Sequence, residues 1–348
     1  MSPRRVTLVD VAKRAAVSVA TVSRALSGDP QISEATQSRV RRIADDLKYV
    51  PNVAARSLVL QSSATFGLMT PDVTDPIHAQ VVTGFQQQAA EQGYSVILSN
   101  GFWDPGTERR ALREFAAHRV AAVAVMGSVL FQPEVKRLLS PSPVLFIGSE
   151  HVPASGGDLD MARGCLRPDD RDGMKQVVDH LIERGYHSVA YVSGASGATQ
   201  FIRRDALVAA LTDRGRAELV VHTADEVDAG GLQPIAVRIR QSRPDVVVCY
   251  DDKTALLLMD ELRTAGVMVP RDVAVVGFDD IPFARISNPR LTTVSQRADD
   301  LGRTSVDLLL STIERGRLPV SQLMPVTLVV RETTPGPFKS THKKDRRS

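Results

Sequence analysis

The chain has 348 residues, 43% of them apolar, which suits two or three soluble domains with sizeable cores. Its two cysteines, Cys165 and Cys249, exclude a disulfide framework, no CxxC or Cys/His cluster suggests zinc, and neither a signal-peptide h-region nor a run of about 18 apolar residues is present, so a reducing, cytoplasmic setting without membrane is expected. The net charge of +3 is unevenly placed: residues 1–60 hold ten Lys and Arg against five Asp and Glu, residues 339–348 hold five against one, and the stretch between them is −6.

Thr7 precedes Leu8, Val11, Ala12 and Ala15, a stripe at helical spacing, and Asp10 stands three residues after it, so Thr7 reads as an N-cap. Ser18 opens a second helix with Val22, Ala25 and Leu26. Gly28-Asp29-Pro30 breaks the pattern, and Ser33 opens a third helix with Val40, Ile43, Ala44 and Leu47 on one face. Leu8, Val11, Val17, Val22, Leu26, Ile43 and Leu47 make the expected core of a unit so small that it is only marginally stable. Two short helices joined at Ala16-Val17 fit a helix-turn-helix, or equally any αα-hairpin. The basic head fits nucleic-acid contact, or equally a solvated helical surface. Pro51-Asn52 then interrupts, VAARSL (53–58) follows as a short helix that needs something to pack on, and Gln61-Ser62-Ser63 reads as a linker.

From Thr65 short apolar runs alternate with helical stretches. TFGLMT, YSVIL, VAAVAVM and PVLFIGS frame helices at 77–92 and 106–118; SVAYVSG, ELVVHT, DVVVCY and DVAVVGF are separated by helices at 172–184, 202–214, 231–242 and 252–265. Such alternation predicts βαβ units in parallel sheets, and two series divided around 150–170 predict two similar lobes. A helix at 298–315 and a last strand at 325–331 are enough for the chain to cross back. Ligands of open parallel sheets bind beyond the C-terminal strand ends, which picks out Thr70-Pro71-Asp72, Gly148-Ser149, Tyr250-Asp251-Asp252 and Phe278-Asp279-Asp280. The tail THKKDRRS is polar, basic and expected to be disordered.

The string V-T-L-x-D-V-A-x-x-A-x-V-S-x-x-T-V-S-R at 6–24 resembles the LacI/GalR family of bacterial transcription regulators. The resemblance continues through YVPNVAARSL (49–58), FGLMTPDVTDP (66–76), HLIERGYHSVAYVSG (180–194), VPRDVAVVGFDDIP (269–282), NPRLTTVSQ (288–296) and PVTLVVRETT (325–334), nearly the whole chain. It implies an all-α N-terminal helix-turn-helix headgroup (1–50) and a hinge helix with linker (51–63), joined to an α/β two-lobed periplasmic-binding-protein-like core with parallel sheets (64–338). The N-lobe is expected at about 64–163 and 295–324, the C-lobe at about 164–294 and 325–338, with three crossovers between them and the tail at 339–348.

By position, the resemblance implies that Val19, Ala20 and Arg24 read base edges, while Ser18, Thr21 and Ser23 meet phosphates; Thr7, Leu8, Asn52 and Ala55 join the same DNA-binding set. An Arg can bind guanine O6 and N7 together, and Val19 and Ala20 can pack on a thymine methyl. Leu58 aligns with the family's minor-groove wedge; taken alone it would be a linker leucine docking on the core. Two such wedges require a homodimer on a pseudo-palindromic operator. No leucine heptad follows residue 335, so a dimer is expected rather than a tetramer.

In the cleft, Asp279, Arg203 and Asp251 fall at effector-binding positions, with Asp72 and Gln296 beside them. Without the resemblance, Asp279 is as well read as an N-cap and Arg203 as surface charge. Carboxylates accept hydroxyls and a guanidinium donates to them, so a sugar-like or other polyhydroxy ligand suits the set. Gly148 stands where an aspartate is common in the family, Ala298 and the region near Glu226 lack aromatic residues, and Arg297 adds a positive charge that would suit an anionic ligand. No GxGxxG, GxxxxGK[ST], GxSxG or HExxH is present, and no cofactor or metal is implied. The expectation is a ligand-responsive repressor in the cytoplasm, associated with the nucleoid. An α/β enzyme lacks a nucleophile, and an extracytoplasmic solute-binding protein lacks the signal peptide.

Overall fold

The computed structural model describes residues 6–49, 63–148, 164–193, 199–216, 220–221, 231–316 and 321–336. Two compact units divide the chain between Ser63 and Ala64. The expected hinge helix, with Asn52, Ala55 and Leu58, and the tail 339–348 lie outside the described residues.

The first unit contains α1 (Leu8–Ala15), α2 (Val19–Leu26) and α3 (Glu34–Asp46). Each starts at the expected cap. Thr7 and Asp10 form a capping box, in which the Thr7 hydroxyl and N–H donate to the Asp10 carboxylate and the Asp10 N–H donates back. Ser18 accepts from the Thr21 N–H at 3.0 Å and Ser33 from the Thr36 N–H at 3.4 Å. Val11, Ala12, Ala15, Val22, Ala25, Val40 and Ala44 are buried, with Leu8, Val17, Leu26, Ile43 and Leu47 packed around them. Four of the seven buried side chains are alanines, which lets three short helices approach closely.

The second unit has two lobes. Six strands form the first sheet: β1 (Thr65–Thr70), β2 (Ser95–Asn100), β3 (Ala122–Met126), β4 (Val144–Ile147), β5 (Cys165–Pro168) and β11 (Gln322–Met324). They run parallel in the order β11-β5-β4-β3-β1-β2. Helices α4 (Pro76–Glu91), α5 (Pro105–Ala117), α6 (Gln132–Leu139) and α12 (Ala298–Arg315) belong to this lobe. The strands β3 and β4 are buried on both faces, as their unbroken apolar runs require. The second lobe's parallel sheet, β7-β6-β8-β9, comprises β6 (Val189–Val192), β7 (Val220–Val221), β8 (Val246–Cys249) and β9 (Ala274–Val276). Its helices are α7 (Asp170–Glu183), α8 (Thr199–Asp213), α9 (Gln233–Ser242), α10 (Asp252–Thr264) and the short α11 (Pro282–Ile286). A small antiparallel pair, β10 (Thr293–Ser295) with β12 (Thr327–Val329), completes it.

Three segments join the lobes: after Pro168, between Ser295 and Ala298, and between Met324 and Thr327. Two of them are tied together by the Asp169 N–H, which donates to the Met324 carbonyl at 3.0 Å. Two boundaries differ from expectation. β5 pairs with β4 and β11, so the second lobe starts after Pro168 rather than at about 164. The expected strand 325–331 is the shorter β12, Thr327–Val329, and it is preceded in the other lobe's sheet by the separate β11, Gln322–Met324; Pro325, with no N–H to donate to a ladder, stands between them.

One helix pair fixes the returning chain. Gly84 of α4 and Gly302 of α12 face the other helix's backbone, and a Cβ on either would collide with Asp299 O or Val81 O respectively. Backbones therefore touch where side chains normally separate helices. Arg303 reinforces the crossing, donating to Gln87 Oε1 at 2.7 Å and to Gln88 and Glu91 at 3.2 Å.

Candidate functional site

Burial of Val22 and Ala25 fixes how α2 is turned. Ser18, Val19, Ala20, Ser23 and Arg24 are all exposed, Val19 to 40%, and Thr21 is half-buried. An apolar pair and an arginine thus share one solvent-facing surface, although nothing in the unit's own core needs Val19 there. The Ser18 hydroxyl is engaged with Thr21, through its N–H and, at 2.9 Å, its Oγ1. Thr7 is exposed, but its hydroxyl proton goes to Asp10, and Leu8 packs half-buried on the core. Lys13, Arg14, Arg39, Arg41 and Arg42 are exposed as well.

In the second unit a cleft of about 270 Å³ opens between the lobes, and Asp72, Arg203, Asp251, Asp279 and Gln296 all line it. Asp279 lies past the end of β9, with φ +122 and an N–H that donates to Val294 O at 2.7 Å. It does not cap α11, whose N-cap is Ile281. Its Oδ1 takes the Gln296 side-chain amide and, at 3.3 Å, Arg203 Nη1. Arg203, only 4% exposed, also donates to Asp170 Oδ1 at 2.9 Å and to the Tyr250 carbonyl, and its guanidinium lies 3.7 Å from the Phe278 ring centroid.

Burial opposes charge on both partners. It pushes the Asp279 carboxyl well up, with Arg203 pulling the other way. It also works against the Arg203 guanidinium, but Asp170 and Asp279 more than offset this and raise its pKa. Asp252, just behind the cleft, is raised to about 7 by burial, although the Thr293 hydroxyl at 2.5 Å and the Ile281 N–H at 2.9 Å favour its ionised form.

The other expected acceptors are partly engaged. Asp251 caps α10, its Oδ1 accepting the Thr254 N–H at 2.7 Å. Asp72 closes a local turn on the N–H and hydroxyl of Thr74, which lower its pKa. Arg297 lies on a crossover and pairs with Asp300 at 2.6 Å. The cleft lining thus carries Asp72, Asp75, Asp251 and Asp279 against Arg203 and Lys253, a surplus of carboxylates that suits hydroxyls better than an anion.

Residues not singled out from the sequence also line the cleft: Asp75 at the N-cap of α4, His78 on α4, Trp103 after β2, and Lys253 on α10. The strand-end rule, applied to Asn100 as it was to four other strand ends, reaches Trp103. Among the described residues no group of three or more His, Cys, Asp or Glu is arranged to hold a metal ion, and no helix is long and apolar enough to cross a membrane.

Residues 7–52 match the family profile of bacterial regulatory proteins, lacI family, and residues 178–334 that of a periplasmic binding protein-like domain. The HTH-type transcriptional regulator GalR of Escherichia coli (strain K12) is 30% identical over 336 residues, 95% of this chain and 96% of that protein. The lac repressor dimer bound to operator and the anti-inducer ONPF matches with a TM-score of 0.81 at 27% identity, covering 95% of this chain and 99% of that one. The transcriptional regulator CelR–cellobiose complex matches with a TM-score of 0.66 at 28% identity, covering 94% and 100%.

Proposed function

Because the chain belongs to the lacI family of bacterial regulatory proteins and is a DNA-binding transcriptional regulator rather than an enzyme, we propose a division of labour among its residues. It works as a homodimer on double-stranded DNA, under control of a small-molecule effector. Val19, Ala20 and Arg24 read base edges in the major groove, Arg24 by a bidentate bond to guanine. Ser18, Thr21, Ser23 and Thr7 hold the helix on the phosphates, with Leu8 seating α1 behind them. Asn52, Ala55 and Leu58 follow the family pattern of a hinge in the minor groove, Leu58 as the wedge. Two copies meet two half-sites of a pseudo-palindromic operator, and the dimer associates with the nucleoid.

Asp279, Arg203 and Gln296, with Asp251 and Asp72, hold a sugar or sugar derivative. The observation that carries this is the buried Asp279 carboxyl group, oriented by Arg203 and Gln296 in the lining of a cleft rich in acceptors. Binding between the lobes changes their spacing and so the fitness of the dimer for its operator. A change from 99:1 to 1:99 needs the effector to prefer one state by about 5.5 kcal/mol.

The test is selection of a binding site from random duplex DNA, followed by anisotropy titration with and without neutral sugars and sugar phosphates. A palindromic site whose affinity changes with a neutral sugar, and no longer does so in Asp279→Asn, is expected. A response to phosphorylated sugars alone would overturn the cleft chemistry.

A further inference from the structure

We propose that Trp103 is the stacking platform of the cleft, so that the effector presents a ring with an apolar carbon face to the indole and its hydroxyls to the array around Arg203 and Asp279. This rests on the cleft being the effector site. Trp103 is the only tryptophan of the chain, and it is 40% exposed while lining the cleft.

Its backbone is held in an unfavourable shape. Phe102 and Trp103 both have left-handed φ, 54 and 53, a conformation that costs an ordinary residue about 1 kcal/mol or more. Three backbone bonds hold the turn: Gly101 N–H to Thr70 O at 2.8 Å, Phe102 N–H to Pro71 O at 2.9 Å, and Asp104 N–H to Gly101 O at 3.0 Å. The indole lies close against Gly127, where a Cβ would stand 3.0 Å from its Cη2 and equally close to Pro71. The turn therefore fixes a wide aromatic surface at the cleft and backs it with groups too small to cover it.

Arg203, Asp251 and Asp279 stand on the other lobe, on α8, after β8 and after β9, with Gln296 on a crossover, while Asp72 shares the first lobe with Trp103. Binding sites of this kind combine a few oriented polar groups with an aromatic surface, and a sugar ring has a matching polar rim and carbon face. An acyclic polyol offers the same hydroxyls without a fixed face. Preference for a ring over an open chain is the signature of Trp103.

The full-length protein is titrated with D-glucose, D-galactose, D-ribose, cellobiose, D-sorbitol and D-mannitol, following tryptophan emission and, separately, heat of binding. A cyclic sugar is expected to change the emission saturably and to bind more tightly than both polyols. Trp103→Leu is expected to weaken that sugar about tenfold, as truncation of an aromatic anchor does, while Trp103→Phe retains most of the affinity. Both variants are expected to keep the wild-type melting temperature within a few degrees and to bind DNA normally without sugar.

Binding that depends on Asp279 but leaves both the emission and the Trp103→Leu affinity unchanged would overturn the stacking role alone, as would polyols binding as tightly as rings. Sugar binding unchanged in Asp279→Asn would overturn the cleft assignment instead. No heat from any of the six compounds would overturn both.

Discussion

Lys253 Nζ stands 3.9 Å from Asp75 Oδ2, so an ion pair reaches from α10 of the second lobe to the N-cap of α4 in the first. Lys253 is largely exposed, and an exposed pair of this kind contributes at most about 1 kcal/mol and weakens with salt. It biases the lobe spacing without locking it. Lys253→Met and Asp75→Asn are each expected to change effector affinity by no more than about fivefold, and their double variant to add little to either alone. Asparagine can still cap α4, so the comparison isolates the charge. Calorimetry at low and high salt checks this; additive effects that do not depend on salt would show that the pair does not couple the lobes.

Arg203 serves Asp170, Asp279 and the Tyr250 carbonyl from a buried position. Removing it takes the paired cation from the buried Asp170 and Asp279 carboxyl groups. Arg203→Met is expected to destabilise the core unit by about 3–5 kcal/mol, and Arg203→Lys to recover little of it, because an ammonium cannot reach three acceptors in a plane. Urea unfolding gives the difference, and a loss below about 1 kcal/mol would mean the pairs contribute little.

The pKa of Asp252 is raised from 3.8 to about 7, so the folded state holds that proton more tightly than the unfolded chain does. Its contribution to stability is therefore greatest at low pH, falls as pH rises from about 4 through about 7, and is level above. Asp252→Asn removes this dependence. The stability of the variant relative to wild type is expected to rise across that window, and a difference flat from pH 4 to 8 would place the carboxyl near its ordinary pKa.

For α2 the expectations separate fold from reading. Ser18→Ala removes the cap on Thr21 N–H and is expected to cost about 1 kcal/mol of headgroup stability. Arg24→Ala leaves stability alone, since Arg24 is exposed, and is expected to lose about 1–3 kcal/mol of discrimination at one base pair. Val19→Thr is expected to change which base is preferred beside it. Urea unfolding measures the Ser18→Ala cost, and repeating the site selection with Arg24→Ala and Val19→Thr measures the other two; an unchanged preference with Arg24→Ala would remove that residue from the reading set.

Local signals carried far in this chain. Thr7, Ser18 and Ser33 cap their helices because a hydroxyl three residues from an N–H needs no distant partner. Strands with unbroken apolar runs were equally plain. β5 was not, because Cys165-Leu166-Arg167-Pro168 becomes a strand only between Phe146 on one side and Gln322 on the other. In the cleft, strand ends indicated Asp72, Asp251 and Asp279 as acceptors. They did not show that two of the three are partly occupied by their own turns, nor that Lys253 would meet Asp75 across the opening. Those facts depend on how two lobes, built from interleaved segments, face each other.

The glycine crossing of α4 and α12 bears on how such a regulator can be recombined. The wall of the cleft carrying Asp75, His78 and Leu301 is assembled from stretches more than two hundred residues apart, joined where neither helix tolerates a side chain. A chimaera that borrows the first lobe as one continuous piece ending near Pro168 would leave Gly84 facing a foreign helix. Successful grafts must carry 64–168 and 297–324 together, so new effector specificities in this scaffold are more readily reached by changing single rim residues than by exchanging lobes.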